Sequence, residues 1–159
     1  MAIDEQARQQ GGAKTQLVEA YIARMWSSST AYLEEAVTLR QSQTHESTAF
    51  CWAFLAGNVL LFAAAYVRDA EGEIPTPTLG ADETSPDVSG GIEYLGLSPE
   101  MKKTGLTYAR YEDHGRYELM APPASQDTVV AWADSVRTAF RKKYARYLTS
   151  PSSRAPAES

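Results

Sequence analysis

The stretch that decides the fold of this chain is AFCWAFLAGNVLLFAAAYV, residues 49–67. It contains no charged residue, and it comes close to the roughly 20 residues that a membrane-spanning helix needs. A helix that is apolar all round also suits the centre of a helical bundle, where other helices cover every face. The stretch therefore predicts either a membrane anchor or the core of a soluble helical domain.

Three features favour the core helix. Asn58 lies in the middle of the stretch, where an amide in hydrocarbon would be costly. The flanks carry neither the Lys/Arg cluster nor the Trp/Tyr belt that orients a membrane helix. Small side chains that would admit a close neighbour recur at Ala49, Ala53, Gly57 and Ala64. We therefore predict a buried core helix, with a membrane span over residues 49–67 as the alternative.

Burial of this helix would anchor the fold. Each fully buried large side chain contributes roughly 1.5–3 kcal/mol. The side chains that we expect to be buried include Phe54, Leu60, Leu61 and Phe62.

The neighbouring segments supply helices that could cover it. Residues 16–40 and 126–148 repeat apolar positions at helical spacing and carry charges on the opposite side. A further helix over residues 99–113 would begin at Ser98, and the last helix would begin at Ser125, because serine hydroxyls cap helix starts. We predict an all-α fold, a four-helix bundle formed by residues 16–148 as one domain.

The chain changes character between the second and third helices. Residues 69–100 carry eight acidic residues and no Lys or Arg. Pro75, Pro77 and Pro86 each lack an amide hydrogen, which argues against regular helix. We predict a long acidic loop over residues 70–90 that is a solvated connector, with partner docking as the alternative.

The two ends and the composition set further expectations. Residues 1–15 are polar and lack the apolar segment of a secretion signal, and residues 149–159 are rich in Pro, Ser and Ala, so we expect a disordered lead-in and tail. Cys51 is the only cysteine, which suits a reducing cytoplasm. The net charge of −5 argues against DNA as a partner. We expect no cofactor and no metal, because one Cys and two His do not make a common zinc site.

Three segments together carry a family resemblance. They are AYLEEAVTLRQ at 31–41, the alanine-rich STAFCWAFLAGNVLLFAAAYV at 47–67, and YARYEDHGRY at 108–117, which precedes the proline turn APPAS. This order resembles the HEPN superfamily, all-α bundles that are common in prokaryotic defence and toxin–antitoxin systems. The resemblance covers about residues 20–148. It implies a helical module that dimerises or docks on a partner, or a metal-independent ribonuclease.

The ribonuclease reading depends on an Arg and a His. The signature of the catalytic members is Arg and His with four to six residues between them. Arg110 and His114 lie in the expected region but have three residues between them, whereas Arg40 and His45 have four but lie in the early helix break. Neither pair has both the spacing and the position along the chain that the signature requires.

Arg110 and His114 could still carry out RNA cleavage chemistry. Residues four apart share a helix face, so the His114 imidazole could move a proton while the Arg110 guanidinium holds a phosphate. Neighbouring rings could stack on unpaired bases; they are Tyr108, Tyr111 and Tyr117. Glu112 and Asp113 would repel a phosphate, and the simpler reading is an ordinary surface pair.

The last helix offers a second candidate surface. Its basic residues are Arg137, Arg141, Lys142, Lys143 and Arg146. They could bind RNA or an acidic partner, or simply complement the helix dipole in solvent. We predict a non-catalytic HEPN-like interaction module that binds a protein partner or a second copy. The alternatives are a ribonuclease using Arg110 and His114, and a small membrane-anchored protein.

Overall fold

A computed structural model describes residues 2–42, 46–70 and 86–148 of the protein. The helices are α1 (Ala2–Ser42), α2 (Glu46–Ala70), α3 (Pro86–Tyr94), α4 (Pro99–Arg110), α5 (Gln126–Lys143) and α6 (Ala145–Leu148). A π turn, Tyr111–Gly115, continues α4. These ranges contain no strand, so the predicted all-α class is confirmed.

Helix α2 lies at the centre of the molecule. It packs against α1, α3 and α5, and its Phe54 ring also meets Tyr108 of α4. Helix α1 runs antiparallel to α2, since Tyr21 lies beside Tyr66 and Tyr32 beside Trp52. Of the described helices, α2 alone is long and apolar enough to cross a membrane, and 67% of its most apolar window is buried against protein. Residues 49–67 thus contribute more buried hydrophobic side chains to the core than any other described helix.

One face of α2 is only partly covered, contrary to the prediction of a helix buried on every side. Phe62 was expected to be buried, but its side chain is 46% exposed, and that of Tyr66 is 55% exposed. These two residues belong to a row at alternating spacings of three and four, here called the α2 stripe: Trp52, Leu55, Val59, Phe62 and Tyr66. The other two thirds of α2 is buried against protein and contributes to the core.

Close packing on the other faces depends on glycine. A Cβ at Gly91 would lie 2.4 Å from the Leu61 carbonyl oxygen and 2.6 Å from its Cα, so α3 approaches the α2 backbone directly. A Cβ at Gly57 would lie 2.6 Å from the Trp132 ring, which α5 inserts against α2. The predicted role of Gly57, admitting a close neighbour, is therefore confirmed.

The predicted helix starts at the two serines are also confirmed. Ser98 Oγ accepts a hydrogen bond of 3.2 Å from the Met101 amide, and Pro99 occupies the first turn of α4. Ser125 Oγ accepts a hydrogen bond of 3.2 Å from the Thr128 amide at the start of α5. Both hydroxyls satisfy an amide that the helix itself leaves without a partner.

Several predicted boundaries differ from the structure. Helix α1 begins at Ala2, well before residue 16. The predicted loop over residues 70–90 was wrong at its end, since α3 begins at Pro86; proline is tolerated there because the first helical turn needs no amide donor. The last helix ends at Lys143, and Tyr144 separates it from α6. The rest of the loop, 71–85, and the tail, 149–159, lie outside the described residues.

Candidate functional site

The predicted catalytic pair lies at the surface without support. Arg110 ends α4, and His114 follows in the π turn; both side chains are exposed. Neither side chain makes a hydrogen bond or an ion pair with any residue of the described ranges. Their expected common face assumed α-helical turns throughout, whereas the Arg116 amide bonds the Tyr111 carbonyl in the wider π pattern. Within the part of the chain that the structure describes, no group holds either side chain in position for catalysis.

The second predicted pair was Arg40 and His45. Arg40 forms an ion pair with Asp127 at the start of α5. His45 lies outside the described residues. Arg40 therefore joins the end of α1 to α5, near the positive end of the α5 dipole that Asp127 already complements.

Tyr111 has a structural role. Its ring is buried and meets the Phe50 ring edge-on at 5.2 Å. Its hydroxyl donates to Ser47 Oγ at 2.8 Å or to the Met120 carbonyl at 3.1 Å. A Cβ at Gly115 would lie 2.5 Å from this ring, so the π turn closes over Tyr111 only because residue 115 is glycine. This tyrosine is not available to stack on a base.

Arg116, which sequence reasoning missed, is the charged centre of this region. It forms an ion pair of 3.4 Å with Glu112 one turn earlier, and its guanidinium lies 4.5 Å from the Tyr117 ring centroid. Burial raises the pKa of the Glu112 carboxyl, and a hydrogen bond with Asp113 adds to this. Burial also raises the pKa of the Cys51 thiol on α2, although the nearby Arg116 guanidinium opposes the shift. The thiol is therefore held in its neutral, unreactive form.

The segment after the π turn exposes large side chains. Tyr117 is 70% exposed, Leu119 is 94% exposed and Met120 is 58% exposed. Leu119 has a positive φ of 58°, a conformation that costs a leucine roughly 1–2 kcal/mol. Of the three tyrosines predicted to stack on bases, Tyr117 alone is exposed, since Tyr108 is buried together with Tyr111.

Arg137 is not a free surface cation. Its guanidinium donates to Ser29 Oγ at 2.5 Å and to Thr30 Oγ1 at 3.0 Å, and it lies 4.2 Å from the Trp26 ring centroid. Ser29 is fully buried and donates to the Ala56 carbonyl at 2.6 Å. Burial lowers the pKa of the Arg137 guanidinium. This cluster joins α1, α2 and α5.

The other predicted basic residues remain at the surface. Arg141 and Lys142 are exposed. The Lys143 ammonium lies 3.9 Å from the Tyr94 ring centroid of α3. Arg146 lies 4.5 Å from the Tyr147 ring centroid and donates to the Tyr147 hydroxyl. The structure brings these cations to one end of the molecule, but two of them cover aromatic rings of the fold.

Another apolar surface of the described residues lies on α1 and α2. Its α2 half is the α2 stripe. Its α1 half is the neighbouring edge of that helix, which carries Leu17, Tyr21, Arg24, Ser28 and Glu35. Where Tyr21 meets Tyr66, the two helices form a groove of about 510 Å³, and Leu17 beside it is 72% exposed. We call these ten residues the α1–α2 face.

Sequence reasoning missed this face because it treated residues 49–67 as apolar on all sides. The spacing of the large side chains held a usable signal, because the five bulky residues of the stripe, aromatic and aliphatic together, recur three or four positions apart. The small residues Ala49, Ala53 and Ala64 occupy the buried side instead. A row of bulky side chains opposite a row of small ones predicts two faces with different neighbours.

In comparisons with known proteins, no family model, no curated protein and no solved structure matches the chain. The resemblance to the HEPN superfamily stays a prediction from the residues.

Proposed function

We propose that this protein is a non-catalytic helical interaction module, HEPN-like in kind, that acts in the cytoplasm as an accessory protein or subunit of a prokaryotic defence or toxin–antitoxin type system. Its four long helices, α1, α2, α4 and α5, would form the predicted four-helix bundle, and residues 71–85 would form the acidic loop. The protein would bind its partner through a helix face.

The observation that carries this proposal is the α1–α2 face. Phe62, Tyr66 and Leu17 leave about half or more of their side-chain surface in water, although a better-covered arrangement would gain roughly 25 cal/mol for each Å² removed. Single exposed apolar side chains are ordinary, but several grouped on two neighbouring helices beside a groove indicate an interaction surface. The face has one exposed cation and one exposed anion on its edge, Arg24 and Glu35, which suits a protein partner better than a phosphate backbone.

The ribonuclease alternative has less support. A catalytic His and Arg need neighbours that hold them in position, and Arg110 and His114 have no such bonds within the described ranges. Glu112 and Asp113 lie between them, where negative charge would oppose a phosphate. If α2 instead crossed a membrane, the two thirds of it that other helices bury would first have to be uncovered.

RNA cleavage separates the module from the nuclease. We expect the purified protein to leave single-stranded RNA intact in the presence of a chelator, with His114→Ala and Arg110→Ala indistinguishable from the parent protein. Metal-independent cleavage that disappears in His114→Ala, at unchanged thermal stability, would overturn the proposal.

Partner capture tests the module directly. The protein purified from its native cell, with RNA and proteins both identified, should carry a protein partner that Phe62→Glu releases. Val37→Glu is the matched control, since Val37 is 44% exposed on α1 but lies away from the face. Recovery only in detergent would instead support the membrane alternative.

A further inference from the structure

We propose that the basic end of the molecule binds an acidic segment of a protein partner, a short stretch rich in Asp and Glu. The basic end is the group of exposed cations at the last turn of α5 and on α6: Arg141, Lys142, Lys143 and Arg146. It shares no residue with the α1–α2 face, so it would give the interaction module a second contact of different chemistry.

The charge of the basic end is not neutralised by other described residues. None of its four cations forms an ion pair with a residue of the described ranges. By contrast, Arg40, Lys102 and Arg116 each have a carboxylate partner. The whole chain contains 20 acidic and 15 basic residues, so a group of unpaired cations is out of character with its composition. Such a group offers charge to an anion from outside the chain.

The helix dipole explains only part of this group. The C-terminal end of a helix carries about half a negative charge, which favours a cation nearby. Residues 141–146 hold four cations, and like charges at close range repel one another. Arg137, one turn before Arg141, adds to the repulsion: burial lowers the pKa of its guanidinium, and the charge of Arg141 lowers this pKa further. A bound anion would relieve the repulsion as well as form its own ion pairs.

Two of the cations are held in position before a partner arrives. The Lys143 ammonium lies 3.9 Å from the Tyr94 ring centroid. The Arg146 guanidinium lies 4.5 Å from the Tyr147 ring centroid and donates to the Tyr147 hydroxyl. Each cation has further N–H donors that these contacts do not use. Side chains that are already held lose less conformational entropy when a ligand binds.

The surroundings favour the carboxylates of a protein over the phosphates of a nucleic acid. Unpaired bases bind best where aromatic rings are exposed for stacking. Tyr144 and Tyr147 are only 3% and 6% exposed, and the Tyr94 ring lies beneath Lys143. A long nucleic acid would also extend over a molecule whose net charge is −5. A short acidic segment needs no stacking and ends where the cations end.

The extent of the basic end suits a short segment. Arg141 and Arg146 are five residues apart, about 7.5 Å at the helical rise of 1.5 Å per residue, on a helix roughly 10–12 Å across. Along an extended peptide, side chains on one side recur about every 6.6 Å. Two or three carboxylates on one side of the peptide would therefore span the cations. Exposed ion pairs of this kind give orientation and fast association more than high affinity.

A nuclear magnetic resonance titration of the full chain tests the inference. At low ionic strength, a hexaglutamate peptide should shift the backbone amide signals of residues 141–146, and a hexaglutamine peptide should not. Raising the ionic strength to roughly 0.3 M should weaken the binding, because salt screens exposed charges. Hexaglutamate that leaves residues 141–146 unchanged overturns the inference.

Charge removal assigns the binding to the basic end. The double variant Arg141→Gln with Lys142→Gln should raise the Kd of hexaglutamate about tenfold, since two exposed ion pairs are lost. Lys103→Gln is the matched control and should change the Kd less than about twofold, because Lys103 is an exposed lysine of α4 outside the basic end. Circular dichroism checks that the variants are folded. A double variant that binds as tightly as Lys103→Gln overturns the inference.

The other polyanions are tested in the same titration. A hexauridylate oligonucleotide, or vesicles of phosphatidylcholine and phosphatidylserine, that bind residues 141–146 at least as tightly as hexaglutamate would overturn the choice of an acidic protein segment. The proposed function fails or survives separately. A basic end that binds no anion leaves partner capture through Phe62 standing, whereas RNA cleavage lost in His114→Ala overturns the proposed function and leaves hexaglutamate binding standing.

Discussion

At the scale of single residues, the serine-rich turn of α1 shows how local chemistry fixes the fold. Ser29 is buried in a helix–helix contact, which is unfavourable for a hydroxyl unless it has partners. The Ala56 carbonyl and the Arg137 guanidinium supply them. From the sequence, Arg137 resembles the exposed cations around it, and only the packing of α5 on α1 distinguishes it from Arg141.

We predict that Arg137→Ala lowers the free energy of unfolding by about 3 kcal/mol, because two hydrogen bonds to a charged group are lost together with the Trp26 contact, and each such bond is worth roughly 1.5 kcal/mol at the lower end. Arg141→Ala is the control, with an expected change within about 0.5 kcal/mol. Urea unfolding at one protein concentration measures both. Equal effects of the two substitutions would show that the Ser29 cluster does not hold the helices together.

At the scale of helices, α2 and α3 can come into contact because residue 91 is a glycine and has no Cβ. Gly91 lies against the backbone of Leu61, which cannot rotate away as a side chain can. Gly90, its neighbour, faces the movable end of Arg68 at 3.3 Å. The sequence did not predict α3 because the prolines of this region, Pro86 among them, argued for a loop. The reason for the glycine pair is visible only in the packing.

We predict that Gly91→Ala destabilises the protein by about 3 kcal/mol, at the upper end of ordinary overpacking, because α3 must move off α2. Gly90→Ala should change stability little, since alanine's higher helix propensity offsets a small shift of Arg68. Thermal and urea unfolding of the two variants measure the difference. A Gly91→Ala variant as stable as Gly90→Ala would contradict the direct backbone contact.

The helices themselves were largely predictable, and the reasons are local. Ser98 and Ser125 mark the starts of α4 and α5 through short-range hydrogen bonds, and such signals are written in the sequence. The π turn after Arg110 was not predictable, because it follows from the Tyr111 hydroxyl reaching Ser47, 64 residues away. For the candidate site, the sequence predicted which basic and aromatic residues are present. It did not predict which of their side chains are exposed, because exposure depends on long-range packing.

At the scale of the whole molecule, α2 combines two roles. Its small and branched side chains, such as Ala53, Ala56 and Leu60, are fully buried and form the core. Its stripe of bulky side chains remains in part exposed and, in our proposal, contributes to the surface that binds a partner. The apolar character that makes residues 49–67 resemble a membrane span is accounted for by the core on one side and, in our proposal, by a partner on the other.

Hydrogen–deuterium exchange of the purified protein in detergent-free buffer tests this central claim most directly. We predict that the amides of residues 50–67 exchange most slowly in the chain, because opening them requires unfolding the core. The same amides exchanging as fast as those of the α4 surface, or a protein that stays in solution only with detergent, would contradict a core helix at residues 49–67.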